Sequence, residues 1–180
     1  MKTYRNAALG FGIAYPDWWQ AVPAPWMKQQ YRRSESTSAE LARMLEQAHA
    51  PFLYLQDPAV APGLAIPTVK CQAYSPAAIA AAGGIPGLMG TIQTMLAQAF
   101  PDYRLLEYQP EYVVAGAVGA RLLTAMSVKN PERESFHAAS ELLCMPAARC
   151  VFVVALSATS SEEHRPAEEF AEMVRSIRLA

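Results

Sequence analysis

The chain has 180 residues, 52% hydrophobic and 17% charged, with a formal charge of −1 at pH 7. That length and mix can bury a sizeable core and exclude intrinsic disorder. Near-neutrality gives no long-range pull toward nucleic acid or an anionic membrane, so neither is expected as a partner.

No stretch approaches the roughly 18 consecutive apolar residues that span a bilayer, so no transmembrane segment is expected. Met1-Lys2-Thr3-Tyr4-Arg5 lacks the apolar core of a signal peptide. As it stands the chain reads as cytoplasmic; an export leader ahead of Met1 would place it in the cell envelope. The cysteines are Cys71, Cys144 and Cys150, an odd count that argues against a disulfide-stapled scaffold. Cys144 and Cys150 flank Pro146-Ala147-Ala148-Arg149, which reads as a hairpin turn. A cross-strand disulfide in an oxidising compartment is one reading. Three small buried hydrophobes is the preferred one.

In chain order, Tyr4 to Tyr15 carries two short strand candidates around Leu9-Gly10, with Phe11, Ile13 and Tyr15 alternating onto one side. Pro16-Asp17 stops the strand. Trp18 and Trp19 follow, and adjacent residues of an extended segment point to opposite faces, so one ring is expected in the core and the other at the surface. Thr37 and Glu40 have capping-box spacing, and Leu41, Met44, Leu45 and Ala48 recur at helical spacing. Strands are expected at Phe52 to Leu55 and Ile66 to Tyr74. Ile85, Leu88, Met89, Ile92, Met95, Leu96, Ala99 and Phe100 form one apolar helical stripe ended by Pro101-Asp102.

Residues 103 to 157 then change texture. Tyr103 to Tyr108, Val113-Val114, Gly119 to Val128, Ser135 to Met145 and Cys150 to Leu156 read as strands, separated by turn signals such as Asn130-Pro131. Long consecutive strands with short connections predict an antiparallel meander. Ser160 and Glu163 suit the start of a closing helix, with Pro166 in its first turn and Phe170, Met173, Val174 and Ile177 on its apolar face. No domain boundary interrupts the pattern, so residues 1–180 are expected to form one domain, with a helical insertion at about 22–50. The class is α+β, a mostly antiparallel central sheet flanked by helices.

The opening Tyr4-Arg5-Asn6-x-x-Leu9-Gly10-Phe11-Gly12-Ile13-x-Tyr15-Pro16-x-x-Trp19 resembles the first hairpin of PsbP/Mog-type domains, which reads N-x-x-x-G-F-x-I-x-Y-P-x-x-W. The closing Phe170-x-x-x-Val174-x-Ser176-Ile177-Arg178 is similar to their last helix and its S-[FI]-R tail. The segment 22–50 is longer than the usual pattern of that family. The resemblance implies an α/β/α sandwich and binding to another macromolecule rather than a reaction. Its members include a photosystem II subunit, a Ran-binding import factor and bacterial chaperones for secreted effectors.

No nucleophile elbow, zinc-protease helix or P-loop lysine is present, so no catalytic residue and no cofactor is expected. Gly83-Gly84-x-x-Gly87-x-x-Gly90 lacks the spacing of a phosphate loop and reads as a mobile connection into the apolar helix. His49, His137 and His164 have no second ligand at metal spacing, so no metal is expected. A nucleophilic pairing of Cys144 or Cys150 with His137 is the one catalytic alternative. Glu162-Glu163 and Glu168-Glu169 read as a solvated helix face.

Trp26 to Arg33 concentrates the residue types of binding hot spots. The candidate partner surface is Trp18, Trp26, Tyr31, Arg32 and Arg33. The function expected is a non-catalytic protein-binding or accessory domain with an unidentified protein partner. The alternatives are a chaperone for a secreted effector, its eight methionines lining an adaptable groove, and a small-ligand-binding protein or enzyme with a pocket between helix and sheet.

Overall fold

Two antiparallel sheets, of seven and three strands, organise residues 1–22, 51–59, 66–129, 135–159 and 166–180, which this computed structural model describes. Period-two alternation builds both. In the meander, β6 (Arg104–Val114), β7 (Ala117–Lys129), β8 (Ser135–Pro146) and β9 (Val151–Thr159) each pair antiparallel with the next, as the sequence predicts. Next, β9 pairs with β5 (Thr68–Tyr74), which pairs with β4 (Leu53–Gln56) and then β3 (Gln20–Ala21). The strand order is therefore β3-β4-β5-β9-β8-β7-β6.

Successive residues of each strand point to opposite faces, so the large sheet has two cores. On one face Leu55, Val69, Leu143, Phe152, Val154 and Leu156 pack against Phe11, Ile13 and Tyr15 from the N-terminal hairpin and Trp19 from the turn after it. Phe170, Met173 and Ile177 of the closing helix α3 (Pro166–Ser176) complete that layer. On the other face Leu122, Leu142, Cys144 and Val153 meet Ile79, Leu88 and Met89 from two helices, α1 (Pro76–Ala81) and α2 (Gly84–Ala99). Each fully buried side chain of this kind contributes about 1.5–3 kcal/mol, and a one-residue slip of register would exchange the two sets, so the alternation fixes the pairing. The result is a helix layer, a sheet, and a mixed layer of hairpin and helix.

The three-stranded sheet closes that mixed layer. Its β1 (Lys2–Asn6) pairs with β2 (Phe11–Tyr15) around a turn in which Gly10 takes φ 68°. The C-terminal β10 (Arg178–Leu179) adds to the other edge of β2, and Ala180 N–H donates to Gly10 O at 2.9 Å. The last residues thus close on the turn of the first hairpin, and a Cβ on Gly10 would lie 2.6 Å from Ala180 O.

Three local features differ from expectation. The two strands expected at 103–108 and 113–114 are one continuous β6. Pro110 is tolerated there because β6 is the sheet edge, and register shifts at Leu105/Glu107 and Gln109/Tyr112 absorb the irregularity. Helix α1, unforeseen, starts at Ser75, whose side chain accepts the Ala78 amide at 3.2 Å. The glycine-rich run is not one connection: Gly83 and Gly84 make the α1–α2 joint with φ 85° and 83°, whereas Gly87 and Gly90 are helical. A Cβ on Gly87 would lie 1.9 Å from Ala82 O, so this glycine lets α1 and α2 pack closely.

Candidate functional site

The adjacent tryptophans separate as their alternation requires. Trp19 is 0% exposed, and its indole Nε1 donates to Glu169 Oε2 at 3.0 Å while its ring meets Phe170 edge-on at 6.0 Å. Trp18 is 55% exposed. Of the expected partner surface, only Trp18 is among the described residues; Trp26, Tyr31, Arg32 and Arg33 lie outside them, as do the helix at 37–48, His49, His164, Asn130-Pro131, Ser160 and Glu163.

All three cysteines are buried and free, in agreement with the preferred reading. Cys144 lies in the core beneath α1 and α2, whereas Cys150 lies in the core on the opposite face, so the two face apart. Burial pushes the Cys144 thiol up to about 12 and raises Cys71 and Cys150 as well. High thiol pKa values disfavour the thiolate that a nucleophile needs. His137 is exposed and meets Ser127 instead, its Nδ1 3.1 Å from Ser127 Oγ. The structure therefore does not assemble the Cys–His alternative.

Ser127 and His137 are direct cross-strand partners on β7 and β8. Ser127 Oγ also donates to Asp102 Oδ2, and Ser127 N–H donates to Asp102 Oδ1 at 2.9 Å. These two bonds hold the Asp102 carboxyl below the usual carboxylate range. The aspartate hydrogen-bonds the serine, and the histidine charge acts on it only weakly, so the order of hydrogen bonds is that of a clasp on the strand pair, not of a nucleophile relay. Among the described residues no group of three or more His, Cys, Asp and Glu could hold a metal ion, and no helix is long and apolar enough to cross a membrane.

Among the described residues the methionines do not line a groove: Met89, Met145 and Met173 are buried in the two cores, Met126 is buried, Met95 is half-buried and Met1 is exposed.

One polar cluster occupies the sheet face shared with the N-terminal hairpin, where the meander extends past it. Arg121 on β7 lies opposite Leu143, a residue of the hairpin-side core, and so points to that face. Its Nε donates to Glu141 Oε1 of β8 at 2.5 Å and its Nη1 to Glu107 Oε2 of β6 at 2.8 Å. The guanidinium lies over the Tyr112 ring, 5.4 Å from its centroid. Gln109 donates to the second oxygen of Glu107. Partial burial disfavours the Arg121 charge, but the Glu141 bond and charge, then Tyr112 and Glu107, outweigh it and raise its pKa.

Leu123, Ala125 and Ala139 continue this face beyond Arg121 and belong to neither core cluster. Three adjacent strands thus present an ordered Arg–Tyr–carboxylate group beside a half-buried apolar strip. No sequence motif marks it, because Glu107, Arg121 and Glu141 are separated by 14 and 20 residues and meet only through strand register.

No protein-family profile and no curated protein sequence matches the chain. Solved structures do. The cyanobacterial PsbP protein (CyanoP) of Synechocystis superposes at TM-score 0.58 with 10% identity, covering 99% of this chain and 92% of that one. The Ran-binding protein Mog1p of Saccharomyces cerevisiae superposes at 0.51 with 9% identity, covering 99% and 94%. The chain spans about half the length (48%) of a Bacteroides thetaiotaomicron protein that it matches at 0.48 with 10% identity. At such identities the shared property is architecture. The antiparallel sheet and its flanking helices are those of a PsbP/Mog-like fold.

Proposed function

We propose that this is a non-catalytic binding domain whose protein partner docks on the hairpin-side face of the meander, around Arg121. The observation that carries the reading is the Arg121 cluster. Arginine and tyrosine are enriched in hot spots, and here both are already ordered, so little side-chain freedom is lost when a partner arrives. The likeness to CyanoP and to the Ran-binding Mog1p supports a binding role at the level of fold only. Trp18 is a second exposed anchor, and residue type alone keeps Trp26, Tyr31, Arg32 and Arg33 in the proposal.

Quantitative affinity capture with the full chain tests it. Glu107→Lys places a like charge beside Arg121 on a partly exposed position and should reduce a captured partner at least about tenfold, a loss of about 1.4 kcal/mol. Trp18→Ala should also weaken capture. If both variants fold and retain every partner at wild-type level, this face is not the docking surface.

A further inference from the structure

We propose that two copies of this chain associate through the outer face of α2, on the opposite side of the sheet from the Arg121 cluster. The 31 residues from Cys71 to Pro101 contain no Asp, Glu, Lys, Arg or His, although the whole chain carries 31 Asp, Glu, Lys and Arg. That stretch includes all of α1 and α2 and their solvent-facing residues. A solvated helix face ordinarily carries charge, and depletion of charge is the compositional mark of an interface centre.

Two further observations bear on the same surface. Gly90, exposed in the middle of α2, has no described atom within 4 Å of where a Cβ would sit, unlike Gly87. Among the described residues nothing requires a glycine there, and a glycine inside a helix is a conformational liability. Close approach of a second backbone from outside supplies the missing reason. The neighbouring hydroxyls of Thr91 and Thr94 donate to Gly87 O and Gly90 O at 2.9 Å each, so their protons need no water and the surface can be dried.

Beside α2, on the same sheet face, Leu105, Val113 and Val118 are 46%, 64% and 59% exposed. Leu105 lies opposite Thr124, and Val113 opposite Val118, on the residue parity of β7 that places Ala120 and Leu122 beneath the helices. They extend the uncharged area to the edge of the sheet.

A second copy fits this face. A twofold contact sets each patch against itself, which a charged surface would resist and this one does not. The area suits a weak, concentration-dependent contact. With 16 residues α2 is about 24 Å long and with six α1 is about 9 Å, so at about 10 Å width the pair gives roughly 330 Å² before the strand residues are added, against about 800 Å² per partner in a stable interface.

Sedimentation of the full chain over a concentration series decides it. The wild type should reach twice 19.6 kDa by about 100 μM, in the usual concentration-dependent manner. Gly90→Arg should return it to 19.6 kDa with an unchanged far-UV spectrum. Thr94→Arg, on the same stripe, should do the same and serves if the first variant does not fold. A wild type that stays monomeric at that concentration overturns the proposal, whether or not it binds vesicles. So does a dimer that survives a folded variant of either kind. Loss of the dimer with partner capture intact would leave the Arg121 reading standing, and the converse holds.

Discussion

The indole of Trp19 donates to Glu169 Oε2 at 3.0 Å, joining the turn after the first hairpin to the last helix across 150 residues of chain. The ring is fully buried against Phe170. Trp19→Ala should therefore cost about 3–5 kcal/mol in a urea titration. Trp18→Ala, next door and exposed, should change stability by no more than about 0.5 kcal/mol. Equal losses would contradict the division of labour between the two rings.

Glu169 has a pH signature. Burial raises its pKa, the Trp19 bond partly opposes this, and Asp57 and Glu172 raise it further. A carboxyl whose folded pKa lies above the unfolded one binds more protons when folded. Its contribution is fully present below the unfolded pKa and is lost as pH rises through the folded pKa. Glu169→Gln keeps an acceptor for the indole without the charge, so its Tm should exceed that of wild type at pH 7. The difference should close as pH falls below the ordinary carboxylate range. A difference independent of pH would assign the effect to packing instead.

The S-[FI]-R tail has a comparable structural use. Ser176 Oγ accepts the Ala14 amide at 2.8 Å and donates to Met173 O at 2.6 Å, pinning α3 to β2. Ser176→Ala leaves a half-buried amide without its partner, a loss of about 1–3 kcal/mol. Hydrogen exchange at Ala14 should accelerate; exchange no faster than in wild type would show that another group caps that amide.

The ends of the chain were legible because their signals are local: Phe11, Ile13 and Tyr15 alternate, and Phe170, Met173 and Ile177 recur at helical spacing. The two-residue strands β3 and β10 were not, since nothing so short carries a period and each exists through its partner strand. Helix α1 hid in a run of alanines without an amphipathic pattern. The Arg121 cluster depends on the registers Gln109↔Arg121 and Arg121↔Leu143, and the first follows a bulge that no spacing rule anticipates. Trp18 was legible as a site candidate because the choice between it and Trp19 needs only alternation and one terminating proline.

Gly119 shows how tightly the register is held. A Cβ there would lie 1.8 Å from Cys144 O, inside the backbone of β8. No side chain can rotate away to make room, so Gly119→Ala requires the β7–β8 pair to shift at the edge of both cores. A loss above about 3 kcal/mol is expected, beyond what overpacking commonly costs. A near-neutral result in thermal melts would mean that this end of the β6–β7 hairpin lifts off the sheet at little cost.

The carboxylates flanking Arg121 give the last prediction. Arg121 is mostly buried, and so is Glu141, while Glu107 is more exposed. Arg121→Leu would leave two carboxylates facing each other across β7 with no cation between them. That should cost about 1–3 kcal/mol at pH 7. Much of the loss belongs to the abandoned acids, not to the missing ion pair. Arg121→Leu combined with Glu141→Leu should therefore be less damaging than the sum of the single variants, by about 1 kcal/mol in a double-mutant cycle. The two residues contact each other directly, so strictly additive losses would mean that the pair contributes nothing to the fold. Any conservation of the cluster would then have to be explained by what docks on it.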